Sequence, residues 1–180
     1  VASSCRKGVQ VMTRWLLLVW ILLFSHIPPL LAFDSITVSG GRGNASATSA
    51  RLALVQDLDP LGFNQFFSNL GLQLEYSASR LRSLGEHHDA FGILPVVRWS
   101  WHPQRSWHWF VDFGIGASYH EKTQVADHQL GSHLLFEDRV GLGVRHERWI
   151  LALRGYHYSN GGLQTPNDGL NLLTLELNWQ

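Results

Sequence analysis

From residue 33 onward, large apolar residues alternate with small or charged ones in segments of roughly ten residues. Alternation with a period of two is typical of β-strands whose two faces meet different surroundings. Polar or glycine-containing turns separate the segments, and no helical periodicity of useful length interrupts them. We predict eight strands, at residues 35–43, 50–57, 70–79, 90–101, 107–120, 132–146, 149–159 and 170–179.

Each predicted strand has one large apolar face and one small or charged face. In the strand 107–120 the apolar face carries Trp107, Trp109, Val111, Phe113, Ile115 and Ala117. The opposite face carries His108, Phe110, Asp112, Gly114 and Gly116. We expect the large apolar face to contact lipid and the small or charged face to fill the interior of a narrow barrel. We therefore predict an all-β fold, an eight-stranded antiparallel transmembrane β-barrel of the outer-membrane type, because closure leaves no unpaired backbone in lipid.

The charged faces decide between this barrel and a soluble β-sandwich. A sandwich needs polar outward faces, whereas here the charged face has to point inward. We expect an internal, structural ion-pair network formed by Glu75, Arg98, Glu137, Arg139, Arg145 and Arg154. We also expect aromatic girdles at the two membrane interfaces, built from the tryptophans near strand ends, Trp99, Trp101, Trp107, Trp109, Trp149 and Trp179.

The first 32 residues have the pattern of a secretory signal peptide. Arg14 precedes an apolar run at 15–24, and the small residue Ala32 follows a Pro-Pro break. We predict residues 1–32 as the signal peptide and 33–180 as the barrel domain, with an uncleaved anchor as the alternative. Met12 is an alternative start, in which case the residues before it belong to an overextended reading frame. Cleavage would remove the single cysteine and leave no thiol or disulfide chemistry.

The charge balance narrows the classes of partner. Lys plus Arg and Asp plus Glu number 14 each, so the formal net charge is zero and no basic field attracts nucleic acid. Only one long apolar run is present, which excludes a helical membrane bundle. His87, His88 and His128 fall in predicted loops, and no carboxylates cluster on one face. We expect neither a metal nor a cofactor.

The strand 149–159 carries the candidate chemistry. Its leucines mark the lipid-facing side, and His157 and Ser159 lie on that side, two residues apart. This spacing brings a hydroxyl within reach of an imidazole, as a serine nucleophile and its general base require. With periplasmic termini the strand ends near the outer leaflet, where Asn171 and Asp138 of the neighbouring strands share the same face.

Two stretches resemble the signature of the lipid A 3-O-deacylase (PagL) family: His157-Tyr-Ser-Asn-Gly-Gly-Leu-Gln-Thr-Pro-Asn-Asp-Gly169 and Gly131-Ser-His-Leu-Leu-Phe-Glu-Asp-Arg-Val-Gly-Leu-Gly143. The resemblance covers about residues 33–180. It implies an outer-membrane barrel that hydrolyses the 3-hydroxyacyl ester at position 3 of lipid A in the outer leaflet. It further implies Ser159 as nucleophile, His157 as base and Asn160 as a candidate donor to the oxyanion.

The sequence departs from the family at the third member of the triad. The family's best-known triad has a glutamate two residues after the Pro-Asn-Asp-Gly run, and Asn171 stands there in this chain. An asparagine carbonyl can accept from the imidazole but supplies no charge. In serine proteases the matching change costs about 10⁴ in rate, through selection of the wrong tautomer. Either Asn171 orients His157, or Asp138 supplies the charge from the preceding strand.

The leading hypothesis is therefore a serine esterase, a lipid A 3-O-deacylase of the Gram-negative outer membrane. The alternatives are a noncatalytic structural barrel of the same family and a barrel phospholipase or acyltransferase. The expected partners are lipid A or lipopolysaccharide and the surrounding outer-membrane lipid. The sequence leaves open whether two copies form a homodimer.

Overall fold

The computed structural model describes residues 33–58 and 67–180, so the predicted signal peptide lies outside the described residues. None of the described residues belongs to a helix long and apolar enough to span a bilayer. The strands are β1 (Ser35–Gly43), β2 (Thr48–Leu58), β3 (Leu70–Ser83), β4 (Glu86–Ser100), β5 (Trp107–His120), β6 (Gln124–Val125), β7 (His128–Gln129), β8 (Leu134–His146), β9 (Trp149–Ser159) and β10 (Leu170–Trp179).

Eight of these strands close into an antiparallel barrel in the order β1-β10-β9-β8-β5-β4-β3-β2. The predicted all-β, eight-stranded barrel is confirmed. Strands β3 and β4 extend beyond their predicted bounds and meet at a tight turn, where Leu84 and Gly85 adopt positive φ. The short hairpin β6–β7 lies in the 121–133 connection, which joins β5 to β8.

Burial alternates along every barrel strand, as the period-two pattern predicts. The outward side chains are large and apolar, with exposed fractions such as 71% for Ile115 and 58% for Leu175. This apolar outer wall is typical of a barrel surrounded by lipid.

The six tryptophans among the described residues do not divide between two interfaces. Trp149 pairs with Trp179, and Trp107 pairs with His146 next to Trp149, so these side chains form a belt at one end of the barrel. Trp99, Trp101 and Trp109 lie at the same end, where β4 ends and β5 begins. The prediction of two tryptophan girdles is therefore wrong. Towards the opposite end the exposed outward rings are Phe91, Tyr119 and Phe136.

A buried ion-pair network fills the barrel. It consists of four arginines and four carboxylates, Arg51, Arg98, Arg139, Arg154, Glu75, Asp112, Glu137 and Glu176. Arg51 joins Glu75 (2.9 Å) to Glu137 (2.7 Å). Arg154 joins Asp112 (2.9 Å) to Glu176. Charges removed from water need such mutual pairing, and these ion pairs join side chains of different strands across the barrel interior.

Arg145 is not part of this network, and its predicted membership is wrong. It lies near the end of β8, at the mouth of the barrel, and its guanidinium donates to the Glu147 carbonyl at 3.1 Å. The prediction missed Arg51, Asp112 and Glu176, although all three face inward. Inward glycines make room for the network: a Cβ on Gly92 would collide with the Glu137 carboxylate, and one on Gly141 with that of Asp112.

Candidate active site

His157 and Ser159 lie on the outer wall of the barrel near the end of β9. His157 is exposed and Ser159 half-buried, while Tyr156 and Tyr158 between them point inward and are buried. The 160–169 loop follows at once and leads into β10. A hydroxyl and an imidazole therefore face the lipid side by side, at the end of the barrel opposite the tryptophan belt.

Two polar residues flank His157 in one row across three strands. Asn171 of β10 pairs with it on one side and Asp138 of β8 on the other. His157 Nδ1 lies 2.7 Å from the amide oxygen of Asn171. An amide oxygen only accepts, so Nδ1 carries the proton and donates it. The second ring nitrogen, Nε2, is then the basic one and can accept a proton from a hydroxyl.

Asp138 is half-buried and makes no hydrogen bond to His157 within the described residues. Its position one strand away places a negative charge beside the imidazole without fixing its tautomer. The two alternatives for the third member of the site are thus separated in space: Asn171 holds the ring by a hydrogen bond, and Asp138 lies on its other side.

Ser159 borders an apolar groove on the same wall. It pairs across the sheet with Phe136, and no hydrogen bond joins its hydroxyl to another side chain in the part of the chain described. The groove has a volume of about 290 Å³ and is lined by Ala117, Ser132, Leu134, Leu135, Phe136, Asn160, Leu163 and Gln164. Most of its surface is apolar, which suits a hydrocarbon chain next to the serine.

The Asn160 side chain braces the loop after Ser159. Its amide nitrogen donates to the carbonyls of Leu130 (2.9 Å), Gln164 (2.9 Å) and Pro166 (3.4 Å). The Asn160 backbone N–H donates to Asn167 Oδ1 at 3.0 Å. These donors are engaged, so the geometry argues against the expectation that Asn160 stabilises an oxyanion and indicates a role in holding the loop.

Further contacts fix the loop and the row of polar groups. Asp168 accepts from the Gln129 N–H at 2.7 Å and thereby ties the loop to β7. Asn44, in the turn after β1, accepts from the Asn171 N–H at 2.8 Å. Gly169 has φ +68°, and a Cβ there would lie 3.0 Å from His157 Cε1. Neither contact can be predicted from local sequence, because each joins segments that are far apart in the chain.

Comparison with known proteins agrees with this geometry. A model of the lipid A 3-O-deacylase (PagL) family matches residues 49–180. Lipid A deacylase PagL of Bordetella bronchiseptica is 34% identical over 139 residues, which cover 72% of this chain and 75% of that protein. Lipid A deacylase PagL of Pseudomonas aeruginosa is 43% identical over 67 residues, 37% of this chain and 39% of that protein.

A solved structure is also similar. The crystal structure of the outer membrane enzyme PagL superposes on this chain with a TM-score of 0.70 at 29% identity, covering 82% of this chain and 99% of that one. Because the family model matches well over half of the sequence and the Bordetella relative matches 72% of it, this chain belongs to the lipid A 3-O-deacylase (PagL) family.

Proposed function

We propose that this protein is a lipid A 3-O-deacylase, a serine esterase that removes the acyl chain at position 3 of lipid A. The observation that carries the proposal is the placement of His157 and Ser159 on the lipid-facing wall, with His157 Nδ1 bonded to Asn171 at 2.7 Å. A nucleophile on the outside of a barrel is suited to a substrate that diffuses in the plane of the membrane. A water-soluble ester would require no such position.

The reaction proceeds by acyl transfer to the enzyme. His157 Nε2 takes the proton of the Ser159 hydroxyl while the oxygen attacks the ester carbonyl. The imidazolium then gives that proton to the 3-oxygen of the leaving sugar, and an acyl-serine remains. Water gives a proton to the same nitrogen as it attacks the acyl-serine. The 3-hydroxy fatty acid leaves, and the imidazolium returns the proton to the Ser159 oxygen. Asn171 holds the imidazole in the tautomer that every step requires.

The surroundings of Ser159 support an acyl substrate. The apolar groove beside Phe136 and Leu163 receives the chain of the scissile ester. The amide donors of Asn160 are engaged, whereas the Gly161 N–H makes no hydrogen bond among the described residues and is the donor we assign to the oxyanion. Gly161 lies against the Phe136 ring, where a Cβ would be 2.8 Å from that ring, so the site needs a glycine there.

The position of His157 and Ser159 indicates how the barrel is oriented in the membrane. The protein is exported by residues 1–32 and inserts in the outer membrane with the 160–169 loop outside the cell. In this orientation His157 and Ser159 lie in the outer leaflet and the tryptophan belt in the inner one. The termini of the barrel then face the periplasm.

Lipid A mass spectrometry tests the activity. The purified barrel, incubated with lipid A in detergent micelles, is expected to produce a species lacking one 3-hydroxyacyl chain, and Ser159→Ala is expected to abolish it. Ser118→Ala is a matched control, because Ser118 is also two residues from a histidine, at 3.2 Å from His120, but inside the barrel. An unchanged spectrum with a folded barrel would establish the noncatalytic alternative. Selective cleavage of glycerophospholipid, or transfer of the chain to another lipid, would establish the phospholipase or acyltransferase.

A further inference from the structure

A second polar feature occupies the outer wall at the same end of the barrel as the active site. Arg42, Thr48, Arg82 and His87 are direct partners across β1, β2, β3 and β4, and all four point outward. They form a single row next to the first two hairpins. We call this row, together with Arg80 two residues below Arg82, the cationic row.

The cationic row lies on a different wall from the active site. Strand β3 is separated from β9 by β10, β1 and β2 on one side and by β8, β5 and β4 on the other. The two strands are therefore diametrically opposite in the closed barrel. A molecule bound at the cationic row does not compete with one bound at Ser159.

Part of the row borders a cavity and a groove. Thr48, Arg80, Arg82 and His87 line a cavity of about 410 Å³, with Ala50 as its lower edge. Below it, an apolar groove of about 520 Å³ runs down the wall and shares Ala50 and Arg80 with the cavity. The cavity and the groove are therefore continuous.

The groove exists because small residues face outward here. Ala50 and Ala78 form its floor, while Val38 and Leu52 bound one side and Phe91 the other. Leu52 and Phe91 are the direct neighbours of Ala78 in the sheet, so the recess has the width of one strand. An acyl chain fills such a recess better than it packs on a wall of uniformly large side chains.

In the part of the chain that the structure describes, only one of the basic side chains in the cationic row is paired with a nearby carboxylate. Asp89 accepts two hydrogen bonds from Arg80, each of 2.8 Å, and this fixes the guanidinium at the top of the groove. Nearby, Glu86 pairs with Lys122, and Glu121 accepts from the Asp89 N–H. Within the described residues the side chains of Arg42, Arg82 and His87 take part in no ion pair or hydrogen bond. Guanidinium groups held at the level of lipid headgroups favour phosphate.

We propose that the cationic row and the groove below it form a second lipid site, which binds a phosphorylated lipid of the lipid A class without hydrolysing it. A phosphate lies against Arg80, Arg82 and His87, and one acyl chain occupies the groove. The row extends two strands further, to Arg42, and this length suits a headgroup with two phosphates rather than one. The site needs none of the Ser159 chemistry and serves to hold the barrel in a leaflet rich in this lipid.

Native mass spectrometry of the barrel in detergent tests the site, with Ser159→Ala as the background so that the lipid is not consumed. Bisphosphorylated lipid A is the probe, and dephosphorylated lipid A and phosphatidylglycerol are the comparisons. We expect two bound lipid A molecules per barrel. In Arg80→Gln/Arg82→Gln, one of the two is expected to bind at least tenfold more weakly. The matched control, Arg105→Gln/Arg148→Gln, removes two exposed arginines at the other end and is expected to change nothing.

A variant that binds lipid A more tightly is also informative, because a misfolded barrel could explain a loss of binding but not a gain. Asp89→Asn removes the carboxylate that competes for Arg80 and is expected to tighten lipid A binding severalfold, whereas Ala78→Phe fills the groove and weakens it. Equal binding of dephosphorylated lipid A or of phosphatidylglycerol would overturn the proposal. Unchanged lipid A affinity in Arg80→Gln/Arg82→Gln, whether one or two molecules bind, would also overturn it, whereas a single bound molecule that is lost in this variant would contradict binding at Ser159 and not at the cationic row.

Discussion

The imidazole of His157 donates through Nδ1 to the amide oxygen of Asn171, 2.7 Å away, so a neutral group orients the ring that we propose as the general base. The acceptor geometry of a catalytic triad is kept while its charge is absent. An asparagine presented through its oxygen selects the productive tautomer, in contrast to the serine protease variant in which the amide selects the wrong one. The remaining deficit is electrostatic, because no charge on Asn171 stabilises the imidazolium.

The first prediction concerns this hydrogen bond. Asn171→Leu keeps a side chain of similar size but removes the acceptor, and we expect kcat for lipid A deacylation to fall by about 10²–10⁴. Asn171→Glu supplies the missing charge, and we expect kcat to rise by about 10–100-fold. Initial rates of 3-hydroxy fatty acid release from lipid A micelles measure both effects.

Asp138→Asn is the matched control for the orienting residue. Asp138 is the direct neighbour of His157 on the other side, so the variant removes a nearby charge and leaves the Nδ1 hydrogen bond intact. We expect kcat for lipid A deacylation to fall by less than about fivefold. Asp138 would be the orienting residue if Asp138→Asn abolished turnover while Asn171→Leu left it unchanged.

The second prediction uses two glycines with similar backbones and different neighbours. Gly169 has φ +68° and Gly85 has φ +85°, so alanine strains either position by about 1 kcal/mol. At Gly169 the added Cβ would lie 3.0 Å from His157 Cε1, whereas at Gly85 it would meet nothing within 4 Å. We expect Gly169→Ala to lower kcat by about tenfold through displacement of the ring, and Gly85→Ala to leave it unchanged. Equal kcat values in the two variants would contradict this account.

Local periodicity carried most of the fold prediction. Two faces of different polarity are visible within a single strand, so eight strands and the outward position of His157 follow from the sequence alone. The error over the tryptophans had an avoidable cause. Trp149 begins one predicted strand and Trp179 ends the next, and antiparallel pairing necessarily brings the two together.

Contacts between distant segments could not be predicted in this way. Asn160 resembled an oxyanion donor beside the serine, and only the folded loop shows that Leu130, thirty residues earlier, takes one of its hydrogen bonds. Arg51 joins Glu75 and Glu137 across the barrel interior. A period-two pattern states which side a residue faces, but not which partner it meets there.

The third prediction separates a loop-bracing role of Asn160 from a catalytic one. Asn160→Ala leaves the carbonyls of Leu130, Gln164 and Pro166 without this donor, a local cost of about 2–3 kcal/mol. We expect the barrel to remain closed, with unchanged heat-modifiable migration in gels. We expect faster thermolysin cleavage beside the exposed Leu163 and a lower turnover.

Asn178→Ala provides the comparison, because the buried Asn178 donates to Ser35 and Thr37 at the other end of the barrel. We expect Asn178→Ala to have a local free-energy cost similar to that of Asn160→Ala, without a change in thermolysin cleavage of the 160–169 loop or in turnover. Lost turnover in Asn160→Ala with unaltered loop cleavage would assign Asn160 to the reaction itself.

The fourth prediction concerns the buried network. Arg154→Met leaves Glu176 and one side of Asp112 without a cation, and we expect the free energy of unfolding to fall by about 3–5 kcal/mol. Arg154→Met/Glu176→Gln also removes the stranded charge, while the glutamine oxygen can still accept from the Tyr156 hydroxyl. The double variant should therefore be more stable than the single one, because an unpaired buried charge costs more than a missing pair.

Urea unfolding in lipid vesicles, followed by tryptophan fluorescence, measures the free energy of unfolding of both variants. A double variant less stable than Arg154→Met would show that Glu176 stabilises the barrel by contacts other than its pairing with Arg154.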